Sequence, residues 1–373
     1  MFVFLFLCGS ENKSFDKSKI MNVKRLNSID IAKGIAIILV VIGHTSTHLG
    51  IEKVIYQFHM PLFFILSGFF YQDNYIKAPL VFLLVSLKRL YAPFVINGLR
   101  LFFIGLLMTY LILGSTGFSF LGGLKYILLI ILGLNSPQFG GGAFWFLRAL
   151  FMVRFLYLFI ILFSNKIENT SLKNCIVFMS VFIFLIIGYK TQFPYSISSS
   201  FIALFFYYMG NLYAKNQKYI NLNGFLLIPA IAFVIGSSYI NTVDLAYNTY
   251  TYFSLFILSS ICGTYVILFV SEKIKQNYIL EYIGQKSLSI MIFHFLSFVT
   301  INLVIVLLFD LPIERILDYP TIKEYRWWWL LYSAVGVIAP LFIEKIIVSL
   351  EKKLPRYLTN TFWFEKLNTK IIK

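Results

Sequence analysis

Apolar segments, each closed by a short polar or charged stretch, follow one another along the whole chain. They fall at about 31–49, 55–71, 91–113, 119–134, 143–163, 174–189, 199–214, 222–240, 251–270, 287–309 and 328–350. Within them the residues are uniformly apolar rather than alternating with period two, which speaks against a β-barrel. Several reach the roughly 20 residues that a helix needs to cross a bilayer. The pattern predicts an all-α polytopic membrane protein with no internal repeat and no linker long enough to separate domains.

Composition removes the soluble alternatives. Hydrophobic residues make up 59% of the 373 positions and charged residues only 13%, against about 25% charged in a globular domain whose surface faces water. Cys8, Cys175 and Cys262 are scattered, two of them in apolar runs, so a disulfide scaffold is excluded.

The net charge of +16 sits in short loops instead of on one soluble face, which argues against nucleic acid and for orientation by cytoplasmic lysines and arginines. Charge also tests the number of crossings. If all eleven segments crossed, the loops carrying Lys166 and Lys173, Lys215 and Lys218, and Lys273, Lys275 and Lys286 would lie outside, together with the basic tail from Lys352. One non-crossing segment between 91 and 163 returns them all to the cytoplasm. The weakest is 119–134, interrupted by Gly122, Gly123, Lys125 and Gly133. About ten transmembrane helices plus one re-entrant or partial segment are therefore expected, with both termini cytoplasmic. Trp327, Trp328 and Trp329 then open the last span as an outer interfacial belt. The expected division is an N-terminal cytoplasmic extension over 1–24, a membrane domain over 25–350 and a basic cytoplasmic tail over 351–373. Met21 is the expected natural start.

Ionisable residues inside such segments are costly and mark function. Lys33 and His44 are eleven residues apart in the first segment, on one helix face and about 16 Å apart along the axis. Asp30 shares that face, where it either orients Lys33 or caps the helix. His48, one turn beyond His44, raises a metal pair, but no carboxylate or thiol stands at ligand spacing, so no metal is expected. The second segment reads Phe58-His-Met-Pro-Leu-Phe-Phe-Ile-Leu-Ser-Gly-Phe-Phe70. Its Pro61 and Ser67-Gly68 favour close helix packing, and His59 is expected at the interface. Arg100, Arg148 and Arg154 also fall inside spans that hold almost no carboxylate besides Glu344, and so should face a polar cavity or a ligand.

The Ser28-Ile-Asp30 start, a basic residue ten positions ahead of Gly43-His44 and the His59-Met-Pro-Leu-Phe-Phe-Ile-Leu-Ser-Gly68 string together resemble the acyltransferase-3 family of integral-membrane acyltransferases. Further matches follow in Lys88-Arg89-Leu-Tyr-Ala-Pro93-Phe, Phe144-Trp-Phe-Leu-Arg-Ala-Leu150 and Ile283-Gly-Gln-Lys-Ser-Leu-Ser-Ile-Met-Ile-Phe-His294, so the resemblance runs from about 25 to 350. It implies ten spans, cytoplasmic termini and O-acylation of a surface glycan. Two departures touch acyl-donor handling. The usual arginine is Lys33 here, which loses the bidentate fork, and the Arg-x-x-Arg motif is reduced to Ser86 and Arg89.

The expected activity is transfer of an acyl group, most simply acetyl, from cytoplasmic acyl-CoA to a hydroxyl of a cell-surface glycan or its lipid-linked precursor. His44 is the candidate general base or acyl relay, with Lys33 and Asp30 in the catalytic group. Lys88, Arg89 and Arg100 are candidates for binding the acyl donor through its phosphates. Trp145, Arg148 and His294 are candidates for the acceptor. Acetyl-CoA is a co-substrate, and no bound cofactor is expected. Membrane lipid surrounds the protein, and a homo-oligomer stays open. Two rivals remain: succinyl transfer, which would require another cation near His44 such as Arg100, and a polysaccharide flippase or polymerase without acyl chemistry.

Overall fold

A computed structural model describes residues 27–47, 50–217 and 222–353. Helices occur in every one of the apolar segments. They are α1 (Asn27–Gly43), α2 (Ile51–Tyr56), α3 (His59–Phe69), α4 (Pro79–Ser86), α5 (Ala92–Leu113), α6 (Phe120–Ile131), α7 (Phe144–Ser164), α8 (Thr170–Lys190), α9 (Ile197–Asn216), α10 (Leu227–Ile240), α11 (Phe253–Ile274), α12 (Tyr278–Gln285), α13 (Ser287–Leu308) and α14 (Trp329–Lys353). In a bilayer the backbone must satisfy its own hydrogen bonds, and a helix does so within one segment. Among the described residues, six helical stretches are long and apolar enough to cross by length and composition: Pro79–Leu113, Phe144–Ser164, Thr170–Lys190, Phe253–Ile274, Ser287–Leu308 and Lys323–Lys352. Their outward faces carry large apolar side chains, such as Ile183 at 53% and Leu307 at 72% exposure, as a lipid-facing surface requires.

At 12 residues α6 spans about 18 Å, short of a hydrocarbon core of roughly 30 Å. The expected extension over 1–24 and almost all of the tail over 351–373 lie outside the described residues, although α14 carries the helix through to Lys353.

Three features differ from the expectation. Lys88 and Arg89 are not in an inter-helix loop. A helix runs from Pro79 through to Leu113, and Leu87–Tyr91 forms a π-helical turn within it. Pro93 supplies the reason: it has no N–H to donate to the carbonyl four residues back, and the ring would crowd that carbonyl, so the preceding turn widens. Within the otherwise helical chain one small element was not expected. β1 (Val243–Asp244) pairs antiparallel with β2 (Thr249–Tyr250), and Asp244 accepts from the N–H groups of Ala246 and Tyr247 to close the turn. Finally, α12 was not among the apolar segments. It is a short helix whose Asn277 caps it by accepting from Leu280 N–H at 3.0 Å, and it packs along α1.

Two helix crossings depend on paired glycines. A Cβ on Gly34 would overlap the carbonyl of Leu280, and one on Gly284 would overlap the carbonyl of Asp30, so α1 and α12 meet backbone to backbone. The same reciprocity joins α3 and α9, where Gly68 faces the carbonyl of Tyr207 and Gly210 that of Ile65. Small residues permit this approach where packing, rather than hydrophobic exclusion, must hold helices together.

Candidate functional site

His44 stands one residue past the end of α1. Its N–H returns to Val41 O at 3.1 Å, closing the last turn before the chain leaves the helix. The break between α2 and α3 then turns the chain back along α1. Gln57 pins that break: it is fully buried, donates to Asn241 O at 2.7 Å, and accepts from Ser259 Oγ at 3.1 Å. At about 1 kcal/mol for each net hydrogen bond, with a larger cost for leaving one unmade, these contacts hold the turn firmly.

Three histidines converge there. The rings of His44 and His294 stack with centroids 5.5 Å apart and planes 22° apart. Phe295 lies 4.9 Å from the His44 ring, and the Tyr56 hydroxyl shares a hydrogen bond of 3.1 Å with His44 Nδ1. His59, expected at an interface, is buried instead. Its Nδ1 donates to Ile55 O at 2.8 Å, and its ring stands 5.0 Å from that of Tyr56. The reason is the α2–α3 break, which sets His59 at the first position of a helix packed on its neighbours on both sides. His294 Nδ1 meets the carbonyls of Met291 and Ile290 at 2.9 and 3.1 Å. A carbonyl only accepts, so Nδ1 carries the proton in the neutral ring. That leaves Nε2 as a bare lone pair, buried and without a partner. An unsatisfied buried acceptor beside a second histidine is a feature that calls for a functional explanation.

Next to this centre opens a cleft of about 540 Å³, within the range of small-ligand sites. Trp145 and Arg148 on α7 line it, with Gln192, Tyr195, Tyr247, Asn248 and Tyr319 among the other walls. Arg148 donates to Gly133 O at 3.1 Å and to Ser196 Oγ at 3.0 Å, while its Nε is buried without a partner. Tyr319 connects cleft and histidines, since its ring is 5.0 Å from Phe295, which in turn touches His44. The loop bearing Tyr319 is fastened by Asn302, which donates to Ile316 O and Asp318 O at 3.2 and 2.9 Å, and by Thr321, which donates to Ser46 Oγ at 3.1 Å. Burial pushes the Tyr319 phenol above its ordinary pKa, so it remains a neutral hydroxyl.

The opposite end of α1 has a different character. Lys33 pairs with Asp30 at 3.6 Å and lies 4.4 Å over the Phe70 ring. Asp30 and Lys33 thus form an ion pair on one face of α1. Beyond Phe70 the chain carries Tyr71 and Tyr75, and Arg89 lies close to both Tyr75 and Arg154. Arg154 donates to Ser86 Oγ at 2.9 Å and stacks 4.5 Å over Phe82. Tyr71, Tyr157 and Tyr207 pack edge to face behind them. Lys88 shares the π-helical turn with Arg89.

The geometry thus brings His294 to His44, joins Trp145 and Arg148 in one cleft, and gathers Asp30 with Lys33. It does not bring Lys33 to His44. Arg100 also stands apart, with its charge met by Glu351 at 2.6 Å and a further bond to Asn97 at 3.0 Å. His48 lies outside the described residues, and among those described no group of three His, Cys, Asp or Glu side chains could hold a metal ion. Tyr56, Phe295 and Tyr319 escaped the sequence reading, and His59 was noticed there only as an interfacial residue. An aromatic in an apolar chain carries no signal of its own, although Tyr56 lies just ahead of a string already singled out.

Neither the curated proteins nor the solved structures provide a match to this chain. A family model does: the acyltransferase domain of the acyltransferase-3 family aligns with residues 26–345, from the first turn of α1 to beyond Glu344 in α14. The histidine centre, the cleft and the Lys33 end all fall within that span, and the chain belongs to the acyltransferase-3 family.

Proposed function

We propose that this protein is a multi-pass inner-membrane O-acyltransferase that moves an acyl group, most simply acetyl, from cytoplasmic acyl-CoA to a hydroxyl of a surface glycan or its lipid-linked precursor. Its helices cross ten times with both termini cytoplasmic, so that the Lys33 end faces the cytoplasm and the His44 end the outside. The observation that carries this reading is the polarity of α1, with clustered cations and tyrosines near one end and paired histidines beside an aromatic, polar cleft at the other.

Each end suits one substrate. Acyl-CoA brings phosphates, which favour charge-assisted contacts with Lys33, Lys88, Arg89 and Arg154. A glycan brings sugar faces that stack on Trp145 and tyrosine rings, and hydroxyls that pair with Gln192 and Asn248. At the histidines the acceptor hydroxyl must lose its proton as it attacks the thioester carbonyl. His44 takes that proton, the new C–O bond forms, and the C–S bond breaks to release the CoA sulfur, which receives the proton. A base positioned in this way contributes about 10²–10⁴-fold in rate. A succinyl donor would need a cation at the histidines, and the residue considered for that role, Arg100, is held by Glu351. That favours an uncharged acyl group.

The test compares surface glycan from deletion cells complemented with wild type or with His44→Ala, at matched membrane levels, scoring base-labile acetyl by NMR. Acetyl present with wild type and absent with the variant supports the reading. Acetylation unchanged by the deletion, with export or chain length altered instead, overturns it in favour of a transporter or polymerase.

A further inference from the structure

Three independent sources of positive potential meet in the cleft beside the histidines. The first is Arg148, the single formally charged side chain among the described residues that line it. Its hydrogen-bond partners, Gly133 O and Ser196 Oγ, are both neutral, and among the described residues no carboxylate pairs with the guanidinium. The second is the start of α7, where Gly142 and Trp145 form part of the wall. The third is the start of α9, represented by Ser196, Ser198 and Ser199. Neither helix start is capped by a side chain, and each carries the positive end of a helix dipole. Elsewhere in this chain half-buried Arg100 finds Glu351 and Lys286 finds Glu344, while Arg154, at the end assigned to the acyl donor, is met by Ser86 and the Phe82 ring.

We propose that the cleft takes an anionic saccharide, so that the acylated acceptor carries a carboxylate or phosphate that Arg148 and the two helix starts bind. The inference rests on the acyl-transfer reading and adds the chemical class of its acceptor. The remaining walls fit a sugar ring: Trp145, Tyr195, Tyr247 and Tyr319 offer stacking faces, and the Oδ1 atom of Asn248, buried and without a partner, offers an acceptor for a hydroxyl. Bound there, the anion would sit on Arg148 while the ring extends past Tyr319 toward Phe295 and His44. The charge would then orient the acceptor and select among hydroxyls without taking part in the bond changes.

The experiment uses full-length protein in membranes, labelled acetyl-CoA, and the cell's own surface glycan stripped of O-acyl groups by mild base. The glycan is offered untreated, with its carboxylates reduced to alcohols, or with its phosphates removed by cold hydrofluoric acid. Wild type is expected to work on the untreated glycan about tenfold better in kcat/KM than on one of the two neutralised forms, the size of one charge-assisted contact. Which treatment causes the loss identifies carboxylate or phosphate as the source. The preference should shrink as salt rises, fall away in Arg148→Gln, and persist in part in Arg148→Lys, which keeps a point charge but loses the fork. Equal rates on all three glycans overturn the proposal and leave acyl transfer standing, as does a preference that Arg148→Gln retains. The comparison among glycans is made with wild type, so it stands even if the glutamine variant does not fold. No transfer to any glycan by wild type overturns the acyl-transfer reading and this inference with it.

Discussion

His44 owes its surroundings to the place where α1 stops. One turn earlier it would lie within the helix; where it stands, it meets Tyr56 across the returning chain and His294 from α13. Under the proposed reaction each neighbour has a separable effect. His44→Ala should reduce acyl transfer at least 100-fold, since it removes the proton acceptor. Tyr56→Phe removes only the hydroxyl that shares His44 Nδ1, and should lower kcat about tenfold while leaving the KM for acyl-CoA unchanged. For His294 the two nitrogens can be tested apart. Asparagine keeps a donor near Nδ1 for the carbonyls of Ile290 and Met291, whereas glutamine keeps a polar atom near Nε2. Greater activity in His294→Gln than in His294→Asn would assign the importance to the unpartnered Nε2; the reverse order would make the residue a structural tie. At this scale the sequence exposed His44 through its depth in an apolar segment, and Arg148 through the lack of nearby carboxylates. It concealed Tyr56 and Tyr319, because their roles come from contacts over 12 and more residues and not from residue type.

The helices meet through features that can be tested singly. Gly68→Ala and Gly284→Ala each force a Cβ onto a backbone carbonyl of the facing helix, which cannot yield as a side chain would. Both variants should lower the melting temperature of purified protein sharply, in the range of about 1–3 kcal/mol expected for overpacking or more. Gly123→Ala, with nothing within 4 Å of its added methyl, should not. The β1–β2 hairpin offers a pH-dependent case. Burial raises the pKa of Asp244, opposed by the two N–H groups its carboxylate accepts. With the folded value above the unfolded one near 3.9, its contribution to stability is fully present below that value and is lost as pH rises through the folded value. Asp244→Asn keeps an acceptor for both N–H groups and removes the titration. Its melting temperature relative to wild type should therefore be highest near neutral pH and decline toward pH 4. The elements themselves were readable because an apolar run in lipid has little choice but to become helical. The continuity of α4 into α5 was not, since the charges of Lys88 and Arg89 imitate a loop while Pro93 in fact produces a widened turn within a helix.

For the whole molecule, the proposed orientation has direct consequences at the two ends of α1. With the native cysteines Cys8, Cys175 and Cys262 replaced by serine, Ile313→Cys lies in the loop fastened to Ser46, and Lys275→Cys lies beside α12 at the Lys33 end. A membrane-impermeant maleimide applied to intact cells should label the first, and the second only after permeabilisation. The opposite result would invert the protein and place the cations away from cytoplasmic acyl-CoA. Hydropathy and charge along the chain determined by themselves that this is a helical membrane protein, and two strings around His44 and His59 pointed to its family. Those properties are local: a segment's transfer into lipid depends on its own side chains, and a motif is a run of neighbours. Only the tertiary structure decided that His294 stacks on His44, that Arg100 is satisfied by Glu351 while Arg148 is not, and that two helix starts share one cleft. These pairings join residues as much as 251 positions apart, and whether a charge is met or left open depends on which helix packs beside it.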